Sequence, residues 1–177
     1  MTKQTAEEIP DNYQNQTCDH AEIAEALFRS GYNCAQAVCC AFCDVTGLDI
    51  DNAARLASSF GGGLGRLRET CGTVSGAAIV LGAVCGYSEP GNIDLKNAHY
   101  ELVREFARRF RERCGSIVCR ELLARAGVDP AAGGDSAPRT PEFYQKRPCP
   151  KLAFEAARIV DELLAERAAP TPFIGEN

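Results

Sequence analysis

The sequence predicts an all-α protein: a single-domain helical bundle of about six or seven helices, with a Pro/Gly-rich connection before the last. Three observations carry this. Apolar residues recur at helical spacing along most of the chain, and no stretch alternates with period two. Residues suited to helix capping (Asn33, Thr70 and Ser116) stand at the start of apolar runs. The 177 residues, 45% of them hydrophobic, suit one domain with a core large enough to need no disulfide staples. Residues 1–17 are expected to form a loosely ordered N-terminal arm, 18–168 the cysteine-rich helical domain and 169–177 a tail.

The elements run in order along the chain. Residues 19–30 place Ile23, Ala26, Leu27 and Phe28 on one side, with acids at Asp19, Glu22 and Glu25. Residues 34–45 carry Ala37, Val38, Ala41, Phe42 and Val45 at helical spacing. A short helix over 51–60 offers Ala54, Leu56, Ala57 and Phe60. Residues 71–87 are small and apolar almost all round, which predicts a central buried helix. Gly72, Gly76, Gly82 and Gly86 recur along it, and glycine costs about 1 kcal/mol in a helix interior, so close approach by neighbouring helices is expected. Residues 94–114 form a long amphipathic helix with Leu102, Val103, Phe106 and Phe110 inward. Its arginines interleave with Glu101, Glu105 and Glu112, predicting a salt-bridged outer face with pairs such as Glu105–Arg109. A shorter helix covers 116–126. Pro130, Gly133, Gly134, Pro138, Pro141 and Pro148 predict an irregular connection over 127–148, and 150–167 closes the bundle.

Composition narrows the function. Nineteen Lys and Arg against twenty-four Asp and Glu give a net charge of −5, which argues against nucleic acid as a partner. The longest uncharged apolar run, 73–87, falls short of the ~18–20 residues of a membrane span. The first ten residues are polar and do not resemble a secretory signal, so a cytoplasmic, reducing environment is expected. Two histidines, His20 and His99, lack metal-ligand spacing and leave no Ser-His-Asp arrangement to argue from. The outlier is cysteine, with ten residues. In a reducing compartment clustered cysteines read as catalytic or metal-binding.

Four of them share a physical context. Asn33 as N-cap puts Cys34 at the first position of a helix, and Thr70 does the same for Cys71. Ser116 as cap puts Cys119 in a first turn, and Pro150 at the first helical position makes Cys149 an N-cap. Helix starts carry partial positive charge and unpaired N–H groups, which favour thiolate and lower a cysteine pKa from about 8.5 toward neutrality. Thiolate is the form that attacks disulfides and the form that binds metal. Cys18 lies just outside the first helix. Cys39, Cys40, Cys43 and Cys85 sit inside apolar helices, where packing is the expected role, and Cys40–Cys43 is a formal CxxC without the βαβ context of a thioredoxin-like motif. Cys114 stands at a helix end, where a thiolate is disfavoured.

The run Gly31-Tyr32-Asn33-Cys34-Ala35-Gln36-Ala37-Val38, then Phe60-Gly61-Gly62-Gly63-Leu64-Gly65, then Thr70-Cys71-Gly72-Thr73-Val74-Ser75-Gly76-Ala77, with Cys119 and Arg147-Pro148-Cys149-Pro150 downstream, resembles the C-GCAxxG-C-C family of redox-active proteins. The resemblance covers roughly residues 20–165, and the ordered spacing is more specific than any one motif. Thr73 stands where the family pattern has Ala, which adds a hydroxyl near Cys71. The resemblance implies a helical domain with a redox role and carries the family's four cysteines over to Cys34, Cys71, Cys119 and Cys149. It implies no substrate.

The glycine run at 61–65 lacks the preceding strand and final glycine of a dinucleotide fingerprint, and the Gly-Lys-Ser/Thr ending of a phosphate loop. A helix stop and tight turn is expected there, ahead of a backbone that approaches a sulfur site or small anion. Two functional readings stay open. In the first, Cys34 and Cys71 are nucleophile and resolving partner in thiol–disulfide exchange, with Cys119 and Cys149 as a second pair or electron relay. In the alternative, the four cysteines bind metal, as an iron–sulfur cluster of the 2Fe–2S type serving electron transfer or as structural zinc. The partner in either case is a redox protein or a small thiol, with homo-oligomerisation left open. A plain helical domain with surplus cysteine is the third reading.

Overall fold

The computed structural model describes residues 19–168 apart from Ala132 and Ala137; the expected arm, Cys18 and the tail lie outside the described residues. Among the described residues the fold is all-α. The helices are α1 (His20–Arg29), α2 (Cys34–Ala41), α3 (Cys43–Thr46), α4 (Ile50–Ala57), α5 (Gly72–Cys85), α6 (Ile93–Cys114), α7 (Cys119–Arg125), α8 (Pro141–Lys146) and α9 (Cys149–Ala168), with a 3-10 turn at Ser58–Phe60 after α4. The β-type pairing found in the described chain is a single antiparallel bridge between Thr70 and Val118.

These nine segments exceed the six or seven expected, for two local reasons. The apolar run over 34–45 breaks at Phe42, whose φ of −106° and ψ of 25° leave the helical region. The break shifts the phase of the next turn, so Val45 is 40% exposed rather than inward. The second addition is α8, inside the stretch expected to be irregular. Thr140 accepts a hydrogen bond from the Phe143 N–H as N-cap, and Pro141 occupies the first helical turn, where its missing N–H costs nothing. A proline that reads as a breaker is here a helix start.

α2 packs against α1, α4, α5 and α9, and α9 packs against α1, α5 and α6. The main core joins Phe42, Leu81, Phe106, Phe110, Ile159 and Val160. Leu102, Phe106 and Phe110 face it from α6 as expected, while Ala26 on α1 and Leu56 on α4 turn out to solvent; α4 instead buries Ala53 and Ala57. The outer face of α6 is salt-bridged. Arg109 Nε donates to Glu105 at 2.8 Å, and Arg109 and Arg113 reach across to Glu166 and Glu162 on α9. The expected close approach to the glycine-bearing helix holds at two of the four positions. A methyl on Gly72 would overlap Cys34 Sγ, and one on Gly76 would stand 2.5 Å from the Ala35 carbonyl oxygen. Gly82 has nothing near it, and Gly86 lies past the helix end.

One buried charge ties three helices. His20 stacks on Phe42 at 4.2 Å, and its Nδ1 lies 2.6 Å from Asp161 on α9 while Nε2 lies 3.2 Å from Asp44 on α3. Burial works against the imidazolium, but the hydrogen bonds and charges of Asp161 and Asp44 outweigh it and raise the pKa above the ordinary 6.5. This contribution to stability is therefore complete below pH 6.5 and is lost as pH rises through the folded-state value. Urea midpoints measured across that range are expected to fall with rising pH in the native chain and to lose this component in His20→Gln. A pH profile identical in the two proteins would sink the assignment.

Candidate functional site

The site grows from four helix starts. Asn33 caps α2 with a full capping box: its side chain accepts from the Ala35 and Gln36 N–H groups, and the Gln36 side chain accepts from the Asn33 N–H. The Asn33 side chain also donates to the Ser58 carbonyl at 3.0 Å, which ties the start of α2 to the first residue of the 3-10 turn. Cys34 is then the first residue of α2, as expected. The α5 start differs by one residue: Cys71 is itself the N-cap and has no side-chain cap bond. The reason is tertiary. Thr70 is held in the bridge to Val118, and the Cys71 N–H donates to the Ile117 carbonyl at 2.8 Å. The same pairing sets Cys119, whose N–H donates to the Glu69 carbonyl at 2.7 Å. Val118 rather than Ser116 is the cap position of α7, so Cys119 is its first residue. Cys149 is the first residue of α9.

These four ends meet. Cys34, Cys71, Cys119 and Cys149 all line one cavity of about 300 Å³. Cys34 is 7%, Cys71 4% and Cys119 7% exposed, and Cys149 is half-buried. Cys34 neighbours all of the other three, each of which feels it electrostatically, and Cys149 lies near Cys71 and Cys119 as well. The expected thiolate bias of helix starts is overturned at three positions. Burial is the largest influence on Cys71, Cys119 and Cys149 and pushes all three up, Cys149 to about 12. The dipole end of a helix is worth less than the loss of water. Four local groups push back. The Thr73 hydroxyl lies 3.2 Å from Cys71 Sγ and favours its thiolate. Arg68 and Arg147 do the same for Cys119, and Arg147 and Arg139 for Cys149.

The glycine run is a helix stop and a cavity wall at once. Gly62, Gly63, Leu64, Gly65, Arg66 and Arg68 all have positive φ, which costs a non-glycine residue about 1–2 kcal/mol. Gly61, Gly62 and Gly65 face the cavity. At Gly63 no side chain fits: a Cβ would stand 2.7 Å from the Cys119 Cβ. The turn was the favoured expectation; the approach to a sulfur site was the second reading, and the run lies against the cysteines as well.

Four arginines complete the lining: Arg66, Arg68, Arg139 and Arg147. Sequence reasoning missed them. The signal available was their position, Arg66 and Arg68 shortly before Cys71 and Arg147 two residues before Cys149; Arg139 had none. Arg68 is 3% exposed and its Nε donates to the Ala131 carbonyl. Arg139 donates to the carbonyls of Phe28 and Tyr32 and lies over the Phe28 ring.

The other described cysteines stay outside the cavity. Cys39 and Cys40 are buried in a smaller core cluster, in keeping with packing, and burial pushes Cys39 up to about 11. Cys43 is half-buried at the α2–α3 break, where a hydrogen bond from Cys40 lowers its pKa. Cys85 and Cys114 lie at the edge of the main core, and burial pushes Cys114 up to about 11. Among the described residues no three of His, Cys, Asp and Glu are gathered as a single metal ion requires. No helix among them is long and apolar enough to cross a membrane.

Comparison with curated proteins and with solved structures found no match. A family model does match, over residues 32–163, which takes in all four cavity cysteines. The chain therefore belongs to the family described as "Putative redox-active protein (C_GCAxxG_C_C)".

Proposed function

We propose that this protein is a thiol–disulfide redox protein, with Cys34 and Cys71 as its exchanging pair and Cys119 and Cys149 as a second pair. The observation that supports it is the convergence of four free cysteines on one cavity, where Cys34 neighbours each of the other three. Cys34 Sγ also lies directly against Gly72, the residue after Cys71. In the reaction the Cys34 thiolate attacks one sulfur of a substrate disulfide, a mixed disulfide forms, and the first substrate thiolate leaves and takes up a proton. Cys71, giving up its proton, then attacks Cys34 Sγ. A Cys34–Cys71 disulfide forms and the second substrate thiol departs. Two electrons pass from the protein to the substrate.

The four-cysteine metal centre is the competing reading. The thiols surround one space, which is in its favour, but their arrangement lacks the compact donor group of a single zinc ion.

The test is metal and acid-labile sulfide content, with thiol counts, on protein purified without oxygen. Metal-free protein that loses two thiols on disulfide treatment, with Cys34–Cys71 recovered in a peptide map, is the expected result. Stoichiometric iron and sulfide, or stoichiometric zinc released by thiol modification, would overturn the proposal.

A further inference from the structure

Two sets of arginines in this protein contrast. On the outer α6–α9 face Arg108, Arg109 and Arg113 each form ion pairs with glutamates. Arg66, Arg68, Arg139 and Arg147 surround the cysteine cavity, and among the described residues none of them has a carboxylate within ion-pair distance. Asp135 is the carboxylate that acts on Arg66, and only through space. Arg68 and Arg147 lie close enough to Arg66 to repel it. Burial, then the charges of Arg68 and Arg147, lower the Arg66 pKa. Holding like charges together in a chain of net charge −5 costs free energy, and the fold places them with care. Arg68 is almost wholly buried and anchored on Ala131, Arg66 Nε donates to Gly133, and Arg139 is clamped by two carbonyls. Arg147 and Arg139 both lie over the Phe143 ring.

An anion entering the cavity would gain from all four at once. The space, about 300 Å³, is at the small end of ligand pockets and suits a small molecule rather than a protein surface. The reactive groups inside it are thiols. We propose that the substrate of this cavity is a low-molecular-weight disulfide carrying negative charge, held by Arg66, Arg68, Arg139 and Arg147 so that one of its sulfurs faces Cys34. This rests on the thiol–disulfide reading above and specifies its substrate. The electron balance is the one given there: two substrate thiols released for one protein disulfide formed. The positive lining also raises the local concentration of an anionic reactant.

A charge series tests it. Fully reduced protein is treated anaerobically with dithiodiglycolate (anionic), 2-hydroxyethyl disulfide (neutral) and cystamine (cationic). Each rate is divided by that of the same disulfide with a free small thiol, which removes intrinsic reactivity. The normalised rate is expected to be about tenfold higher for the anion than for the neutral compound, and lowest for the cation. Salt at about 1 M should compress the series, and Arg147→Gln should compress it at low salt. Equal normalised rates, or a faster cation, would overturn the anionic substrate while leaving disulfide exchange standing. If none of the three oxidises the cavity cysteines, disulfide exchange itself falls and the substrate inference with it.

Discussion

Cys34→Ser is expected to lower the rate of disulfide reduction by about a thousandfold or more, with little loss of stability. Serine is close in size, and Cys34 sits at a helix start whose cap is made by Asn33 and Gln36 rather than by its own side chain. The thiol neighbours Cys71, Cys119 and Cys149, and in the proposed pair with Cys71 it is the one that makes the first attack. Cys71→Ser should behave differently. The first attack can still occur, but the mixed disulfide cannot resolve onto Cys71, so one substrate thiol is released per chain instead of two. Mass spectrometry of the trapped adduct reads this directly. Cys119→Ser should leave the first turnover of the Cys34–Cys71 pair intact. Four serine variants with equal loss, each accompanied by loss of a bound metal, would instead mark a four-cysteine metal centre. Normal activity in Cys34→Ser would overturn the assignment of the nucleophile.

Gly76→Ala is expected to destabilise the fold by about 3 kcal/mol, the cost of overpacking against atoms that cannot move aside. The new methyl would meet the Ala35 carbonyl oxygen at 2.5 Å and the Val38 Cβ at 3.1 Å, both on α2. Relieving the clash pushes α5 away from α2, and with it Cys71 away from Cys34. In a domain of this size the melting temperature should fall by about 10 °C. Gly82→Ala, one helical stretch further on, is the control. A methyl there meets nothing within 4 Å, so the substitution should stabilise by about 0.5–1 kcal/mol through the unfolded chain alone. Equal melting temperatures for the two variants would show that α2 and α5 do not pack as described.

The same helix illustrates what a sequence can and cannot convey. Four glycines at 72, 76, 82 and 86 pointed to close packing, but two of them make it and two do not. Spacing along a helix specifies a face; only the neighbour decides which part of the face is covered. α3 and α8 teach the same lesson from opposite sides. The Phe42 break is not marked by Gly or Pro, and no local breaker signal precedes it. Pro141 is such a signal, yet behind Thr140 it begins a helix. For the cysteines, capping chemistry located the helix starts to within two residues, because N-caps act through bonds to the next two or three N–H groups. Protonation went the other way, because burial is a property of the packed molecule and outweighed the helix dipole at Cys71, Cys119 and Cys149.

By itself the sequence determined the all-α class, the long salt-bridged α6 and the family. Each of these rests on short-range order: the 3.6-residue period, four-residue ion pairs and motifs read within a single element. Tertiary structure alone decided that four thiols separated by up to 115 residues share one cavity, that the Thr70–Val118 bridge sets Cys71 beside the start of α7, and that four arginines without carboxylate partners among the described residues ring the sulfurs. Convergence of helix ends, and the burial it brings, depend on contacts between elements far apart in the chain. No local pattern records them.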